Sequence, residues 1–426
     1  MHCRNAPTMQ ISIRRRADDI GGTWVSANHI GLSGRHVDVM DTTPRKQSVA
    51  RWFLRSSLGR IIIALVLIVV VQAMYLWLFV LLPYQREKKI AEKIESFGGE
   101  VVEWTNPPVW IPRWVLEFAE ESPPVWERIR EISFDQTNDT DAGLESIKGL
   151  SSLEDLYLIQ TQVTNAGLEH LKGLTNLKRL GLALDQTQIT DPGLARLKGL
   201  TNLEYLSLSQ TQVTDAGLEY LKGLTNLKRL HLDQTQVTDA GLKHLKGLTH
   251  LEYLDLNNTQ ITGTGLENLR GMTNLKVLQL DKTQIADTGL EHLKRLIHLQ
   301  DLWLNETQVT DVGLDKMNEM PNLSYINLNG TRVTDTGLEH LKRLTSLQVI
   351  ELQQTEVTDA GLEQLKGLAN LRRIHLDETK VTDAGLKTLE KAQSLKELFL
   401  MDTQTTPEGR AILRKALPSC RIGPTP

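Results

Sequence analysis

Apolar residues recur along this chain with a fixed period of 24 residues, and each period is built from two shorter ones. In the unit around Thr211 to Gln234 and the next one from Thr235, Leu227, Leu230 and Leu232 stand in the spacing L-x-x-L-x-L. The second half of that spacing alternates with period 2. Leu230 and Leu232 therefore face one way and Arg229, His231 and Asp233 the other, as in a strand. After Thr235 and Val237 the spacing changes to Leu242, Leu245 and Leu248, which predicts a helical or 3₁₀ turn with one inward face. Asp239 is placed to cap that turn, and Gly241 permits close backbone approach. Each unit offers about seven apolar side chains and cannot enclose them alone. Stacked units are required, and each buried leucine is then worth roughly 2–5 kcal/mol against alanine.

Thr211, Thr235, Thr259, Thr283, Thr307, Thr331, Thr355 and Thr379 hold one position at the end of each strand. Their regularity predicts an architectural column of hydroxyls that satisfies turn backbone from repeat to repeat.

A different pattern occupies residues 61–82, Ile61 to Leu82. Gln72 is its only plainly polar side chain, and the segment would span about 33 Å as a helix. Tyr75 and Trp77 suit an interfacial half, and Pro83 is expected to end the run. A retained single-pass transmembrane helix fits better than a cleaved leader, because no small-x-small site follows. Five basic residues precede the span (Arg45, Lys46, Arg51, Arg55, Arg60) and four follow it (Arg86, Lys88, Lys89, Lys93). That bias places the N-terminus in the cytoplasm and the repeats outside it, periplasmic or extracellular.

The consensus L-x-x-L-x-L-x-x-T-x-V-T-D-A-G-L-x-x-L resembles the leucine-rich repeat, in the type found in bacterial repeat proteins and in the substrate-receptor repeats of F-box proteins. The resemblance covers residues 129–422. It implies an α/β leucine-rich repeat solenoid of about twelve repeats, with a parallel β-sheet on the concave side and short helices on the convex side. For function it implies only binding, since such repeats serve unrelated partners. No F-box-like helical module precedes the repeats.

The expected organisation is a basic segment over 1–60, the transmembrane helix at 61–82, a juxtamembrane helix and N-terminal cap over 83–134, repeats over 135–403 and a C-terminal cap over 404–426. Residues 1–39 lack periodicity and carry Arg14-Arg15-Arg16; either translation begins at Met40 or they form a disordered tail. From Arg86 to Phe97 an amphipathic helix presents Ile90, Ile94 and Phe97, Gly98-Gly99 stops it, and Val101-Val102 starts a strand. Trp104, Trp110, Trp114 and Trp126 then lie among prolines. They either cover the open end of the solenoid or bind a sugar or membrane surface. One repeat is two residues longer, through Leu180 to Asp185, which marks a binding site or a duplication scar.

Composition narrows the function. A net charge of −4 over 426 residues gives no basic excess for nucleic acid, and two cysteines make no disulfide framework. Cys420 reads as a small core residue. Zinc-type His/Cys spacings, phosphate-cradling glycine loops and nucleophile elbows are missing, so no enzyme, cofactor or metal is expected. His170, His244, His292 and His340 fall on the convex helices and read as solvated. The sequons at Asn257, Asn305 and Asn329 follow from register.

Variation is concentrated on the exposed strand face. One column reads Tyr205, Arg229, Tyr253, Val277, Asp301, Tyr325; the next reads Ser207, His231, Asp255, Gln279, Trp303, Asn327, Glu351, His375; the last includes Asp233, Asn257, Asp281 and Asp377. Neighbouring strands lie about 4.8 Å apart, so residues of one column can meet one ligand. The candidate partner-binding residues are Tyr205, His231, Asp233, Tyr253, Asp255, Asp301, Trp303, Tyr325, Asn327, Glu351, His375 and Asp377, with Trp303 as the anchor. The expectation is a membrane-anchored repeat protein that binds a protein or peptide. The alternatives are a substrate-recognition subunit of a ubiquitin-ligase-like complex and a structural envelope spacer.

Overall fold

The computed structural model of the chain describes residues 54, 56–104, 128–137, 140–182, 188–317 and 319–423. It divides into two units, residues 1–70 and 71–426. The expectations for residues 1–53, for the side chain of Trp104 and for Trp110, Trp114 and Trp126, and for the insertion from residue 183 onward lie outside the described residues.

Helix α1 runs Ser57–Leu76, and its side chains Ile61, Leu65 and Val69 are exposed. A π-helical turn follows over Trp77–Leu81, then α2 over Leu82–Ser96. From Ser57 to Ser96 the helix is 40 residues long, with a mean hydropathy of 2.8 over its most apolar window. By length and composition it can cross a membrane. The apolar run ends at Pro83, but the helix continues through it. Proline lacks the N–H that would bond the carbonyl four residues back, at Phe79. The chain widens into the π turn there, and the Arg128 Nη2 donates to the Phe79 carbonyl at 3.2 Å.

The lower helix packs on the first repeat. Ala91 and Ile94 are buried, and Ile90 and Phe97 pack against the same core. Glu87 is buried with them, and its carboxylate accepts the Ile129 N–H at 2.8 Å. Burial pushes the Glu87 carboxyl above its ordinary value, against that hydrogen bond and Arg128. Gly98, at φ +81°, turns the chain into β1 (Glu100–Trp104), which pairs antiparallel with β2 (Ile129–Ser133).

From β2 onward every pairing is parallel. Among the described residues fourteen strands form one sheet in sequence order, ending with β14 at Arg421–Gly423. After β2 the strands are three residues long, as in Tyr205–Ser207, Arg229–His231 and Tyr253–Asp255. Their register advances one repeat at a time, with Leu206 opposite Leu230 and Leu230 opposite Leu254. Between strands lie short α and 3₁₀ segments such as Asp239–Leu242 and Lys243–Leu245. Leu230, Leu232, Val237, Leu242, Leu245 and Leu248 are all fully buried in one core that continues from repeat to repeat. The apolar spacing therefore maps onto the fold position by position.

Two polar roles differ from the sequence reading. The cap of the segment Asp239–Leu242 is Thr238, whose hydroxyl accepts the Ala240 N–H. The carboxylate of Asp239 instead reaches forward into the next coil, accepting the Thr262 N–H at 2.8 Å together with its hydroxyl. The same staple joins Asp215 to Thr238, Asp287 to Thr310 and Asp335 to Thr358. The column Thr235, Thr259, Thr283 works within its own repeat. Each hydroxyl donates to the carbonyl three residues back, as from Thr235 to Leu232 at 2.6 Å.

Those threonines close a turn whose preceding residue is left-handed. Gln234 lies at φ 55°, Asn258 at 54°, Lys282 at 56° and Glu306 at 53°. Such a φ costs a non-glycine residue about 1 kcal/mol or more, and among the described residues at this position only Gly330 relieves it. The inter-repeat bond from the Gln234 N–H to the Asn257 carbonyl, repeated in each coil from Gln210 to Glu378, offsets that strain. Asn165 makes the staple to Thr190 with an amide in place of the carboxylate, and at one joint it is lost altogether: Gly263 stands at the Asp position and Ala286 at the Thr position it would bond. Both partners are lost together, and a Cβ on Gly263 would meet the Gly289 backbone nitrogen at 2.6 Å.

The C-terminal helix Pro407–Ala416 is capped by the Thr406 hydroxyl. Arg410 and Arg414 then bond the Leu400 and Ile422 carbonyls at 2.7 and 2.8 Å. Cys420 is buried and its thiol is pushed up to about 11 by burial, consistent with packing and not reactivity.

Candidate functional site

The strand register sorts the candidate residues of the open sheet face into three groups. In the first, His231 lies between two aromatic rings, with centroids 5.3 Å from Tyr205 and 4.6 Å from Tyr253. The Arg229 guanidinium stacks over Tyr253 at 4.5 Å. His231 Nδ1 stands 3.7 Å from Asp255 Oδ2, and Asp233 lies beside both. The Ser209 hydroxyl donates to Asp233 Oδ1. Burial raises the Asp233 carboxyl, and the charge of Asp255 adds to that. Burial also raises the Tyr205 and Tyr253 phenols.

In the second group Trp303 and Tyr325 stack with centroids 4.6 Å apart, beside Asp301 and Asn327. Trp303 is half-buried against its neighbour, not fully exposed as a lone indole on a strand would be. Burial raises the Asp301 carboxyl and the Tyr325 phenol. In the third group His375 packs on Phe399 at 4.0 Å and stands 3.5 Å from Glu351. Its Nδ1 is also 3.0 Å from the Gln353 amide. Burial holds the His375 imidazole below its ordinary value and pushes the Glu351 carboxyl up, so both favour their neutral forms.

Asp377 belongs to the framework. It is 2% exposed, and its Oδ1 accepts the Met401 N–H of the next repeat at 2.5 Å. Asn257, Asp281 and Asn329 do the same for the backbones of Asp281, Asn305 and Gln353. The last column is thus a second inter-repeat staple, and its polar residues follow from backbone satisfaction before any ligand is considered. Asp233 and Asn305 are exceptions, because the Asn257 N–H turns to Asp255 and the Asn329 N–H to Asn327 instead.

Sequence columns began at Tyr205 and missed the charged start of the sheet. There Arg179 grips Asp155 through two bonds of 2.7 and 2.6 Å, and Arg130 pairs with Glu103 and Glu154. Ser209 and Phe399 stand in the sequence columns themselves, but their roles appear only through their contacts with Asp233 and His375. The convex histidines are half-buried and not solvated: Nδ1 of His170 and of His244 is buried without a partner, while His292 meets Arg270 and His340 meets Asp315.

Asp281 provides a test of burial on this face. Desolvation pushes its carboxyl up to about 6, even though the Asn305 N–H favours the charged form. The folded state then holds this proton at pH values where the unfolded chain has released it. The associated stability is present below about pH 4 and is lost as pH rises through about 6. Asp281→Asn keeps the acceptor and matches the asparagines at 257, 305 and 329. It is expected to flatten that decline and to stabilise the chain by about 1 kcal/mol at pH 7, after allowance for solvent screening. Urea unfolding of both proteins at pH 4.5 and 7.5 measures it; an equal gain at both pH values would remove the titration account.

A family model described as Leucine rich repeat matches residues 201–261 and again 225–285, and the two matches start one period apart. Over residues 201–285 the repeats are leucine-rich repeats. Among solved structures, an internalin of Listeria monocytogenes is 20% identical with a TM-score of 0.54, the match covering 73% of this chain and 93% of that one. An internalin C2 of the same organism is 29% identical with a TM-score of 0.39, covering 49% and 84%. A leucine-rich repeat protein of Leptospira interrogans is 19% identical with a TM-score of 0.48, covering 69% and 89%. No curated protein matches the chain. The first of these likenesses is one of fold. Leucine-rich repeat proteins commonly bind protein partners, on surfaces built from successive repeats.

Proposed function

We propose that this chain is a single-pass membrane protein whose leucine-rich repeats dock a protein or peptide on the open face of the sheet, without catalysis. The observation that carries the reading is the Trp303–Tyr325 stack, a large amphipathic aromatic surface beside Asp301 on a rigid strand scaffold. Aromatic pairs of this kind lose little conformational entropy on binding and tend to dominate interface energy. The framework does not need them, since the leucines on the opposite face fill the core. The 40-residue helix ahead of the repeats supports the anchor. The positive charge balance favours a cytoplasmic N-terminus with the repeats on the other side.

Trp303→Ala combined with Tyr325→Ala is expected to reduce recovery of a cross-linked partner from native membranes at least tenfold, with the circular dichroism of the purified chain unchanged. In the same cells, protease added from outside should remove the repeats and leave the N-terminal segment protected. Unchanged recovery would favour the structural spacer, and protection of the repeats would reverse the orientation.

A further inference from the structure

We propose that His231, Asp233 and Asp255 form a divalent transition-metal site on the open sheet face, suited to Zn²⁺. One ligand atom from each lies within 4.8 Å of the others. Two donors bound tetrahedrally to one zinc stand about 3.3 Å apart, given metal–ligand bonds of about 2.0–2.1 Å. His231 Nδ1 and Asp255 Oδ2, at 3.7 Å, are close to that separation. They are too far apart for a hydrogen bond to explain their pairing.

The imidazole is otherwise idle. Its Nε2 is buried with no partner, and among the described residues neither ring nitrogen makes a hydrogen bond. Tyr205 and Tyr253 hold the ring on both sides, which fixes its orientation before any ion arrives. The carboxylates are oriented as well: Asp255 Oδ1 takes the Asn257 N–H at 3.0 Å and Asp233 Oδ1 takes the Ser209 hydroxyl. Such outer partners are what metal ligands require. Asp233 is also released from the backbone staple that its equivalents Asn257 and Asp281 make. One nitrogen and two carboxylate oxygens favour a borderline ion over Ca²⁺ or Mg²⁺, which take oxygen ligands.

Two other groupings do not qualify. Glu103, Glu131 and Asp155 are as close together, but Arg130 neutralises Glu103 and Arg179 grips Asp155. At His375 and Glu351 the imidazole Nδ1 already meets the Gln353 amide. Three protein ligands on a tetrahedral ion leave one position open, to water or to a carboxylate or imidazole of a docked macromolecule. The site does not depend on the proposed partner, so its failure and the failure of the docking reading are separable.

The test is titration of the full-length chain in detergent with Zn²⁺, by calorimetry and by equilibrium dialysis with metal analysis, with Co²⁺ as a spectroscopic probe. One ion per chain is expected, with visible Co²⁺ absorption bands of nitrogen–oxygen ligation. His231→Ala and Asp255→Asn should each weaken binding about 10- to 100-fold. His340→Ala, which removes a His–Asp pair outside the site, should leave stoichiometry and affinity unchanged. If His231→Ala fails to fold by circular dichroism, Asp233→Asn takes its place. Absence of binding, or equal losses in the His340→Ala protein, would overturn the proposal.

Discussion

Gly241→Ala is expected to destabilise the central repeats by about 3 kcal/mol, although alanine is the better helix former by about 1 kcal/mol. The reason lies in the neighbouring coil. A Cβ at Gly241 would fall on Asp215 Oδ1, with Leu218 Cδ1 at 3.0 Å and the Asp215 Cα at 3.2 Å behind it. Asp215 cannot retreat without releasing the N–H and hydroxyl of Thr238, bonds to a charged acceptor worth about 1.5–3 kcal/mol each. The same clash meets Gly217, Gly313 and Gly337 against the Asp of the preceding repeat. Gly247→Ala is the control, since nothing lies within 4 Å of its Cβ position, and it should be neutral. Asp215→Ala alone loses the staple, but combined with Gly241→Ala it also removes the obstructing oxygen. The double variant should therefore cost at least about 1 kcal/mol less than the two single changes added. Urea unfolding of the four proteins checks this, and strict additivity would break the proposed contact.

The glycine was legible in the sequence, and its cause was not. T-D-A-G looks like a local cap because the signals of a helix start are local, whereas the group that Asp239 serves is Thr262, in the next coil. A repeating sequence makes the two readings indistinguishable, since every position of one unit is also a position of the next. The leucines were easier. Their spacing alone fixes which side of a strand or turn is apolar, and Leu230, Leu254 and Leu278 are buried as the period requires. Pro83 shows the opposite case, where a strong local breaker is absorbed because a π turn and Arg128 share the freed carbonyl.

The open face was read less completely. Columns of one register identified Trp303 and Tyr325 as neighbours, and the strands do bring them together. The same columns treated Asp377 as a ligand group when its carboxylate binds the backbone of the following coil. Hydrogen-bond demand of that kind is invisible in a list of side chains. The His231, Asp233 and Asp255 cluster escaped for a related reason. Its ligands come from two strands one repeat apart, so no short motif announces them.

Phe134→Ala is expected to cost about 3–5 kcal/mol, and to spend that loss at one end of the solenoid. Phe134 occupies the position that leucine holds in later repeats, and it is fully buried. Its ring sits between two glycines: a Cβ on Gly99 would meet its Cδ1 at 2.5 Å, and one on Gly143 its Cε1 at 2.7 Å. Ile94 of α2 closes the same space, so the ring joins the lower helix, β1 and the first repeat. Truncation leaves a cavity that neither glycine can fill. Because each repeat touches only its neighbours, the damage should stay local. Hydrogen exchange should show protection lost across Glu87 to Ser96 and Ile129 to Ser133, and kept from Tyr253 onward. Phe134→Leu, which restores the common residue, should cost about 1.5 kcal/mol or less. Uniform loss of protection through all repeats would mean that the array unfolds as one block. The first repeat would then be no separate cap, and the helix preceding it would be tied to the stability of the whole sheet.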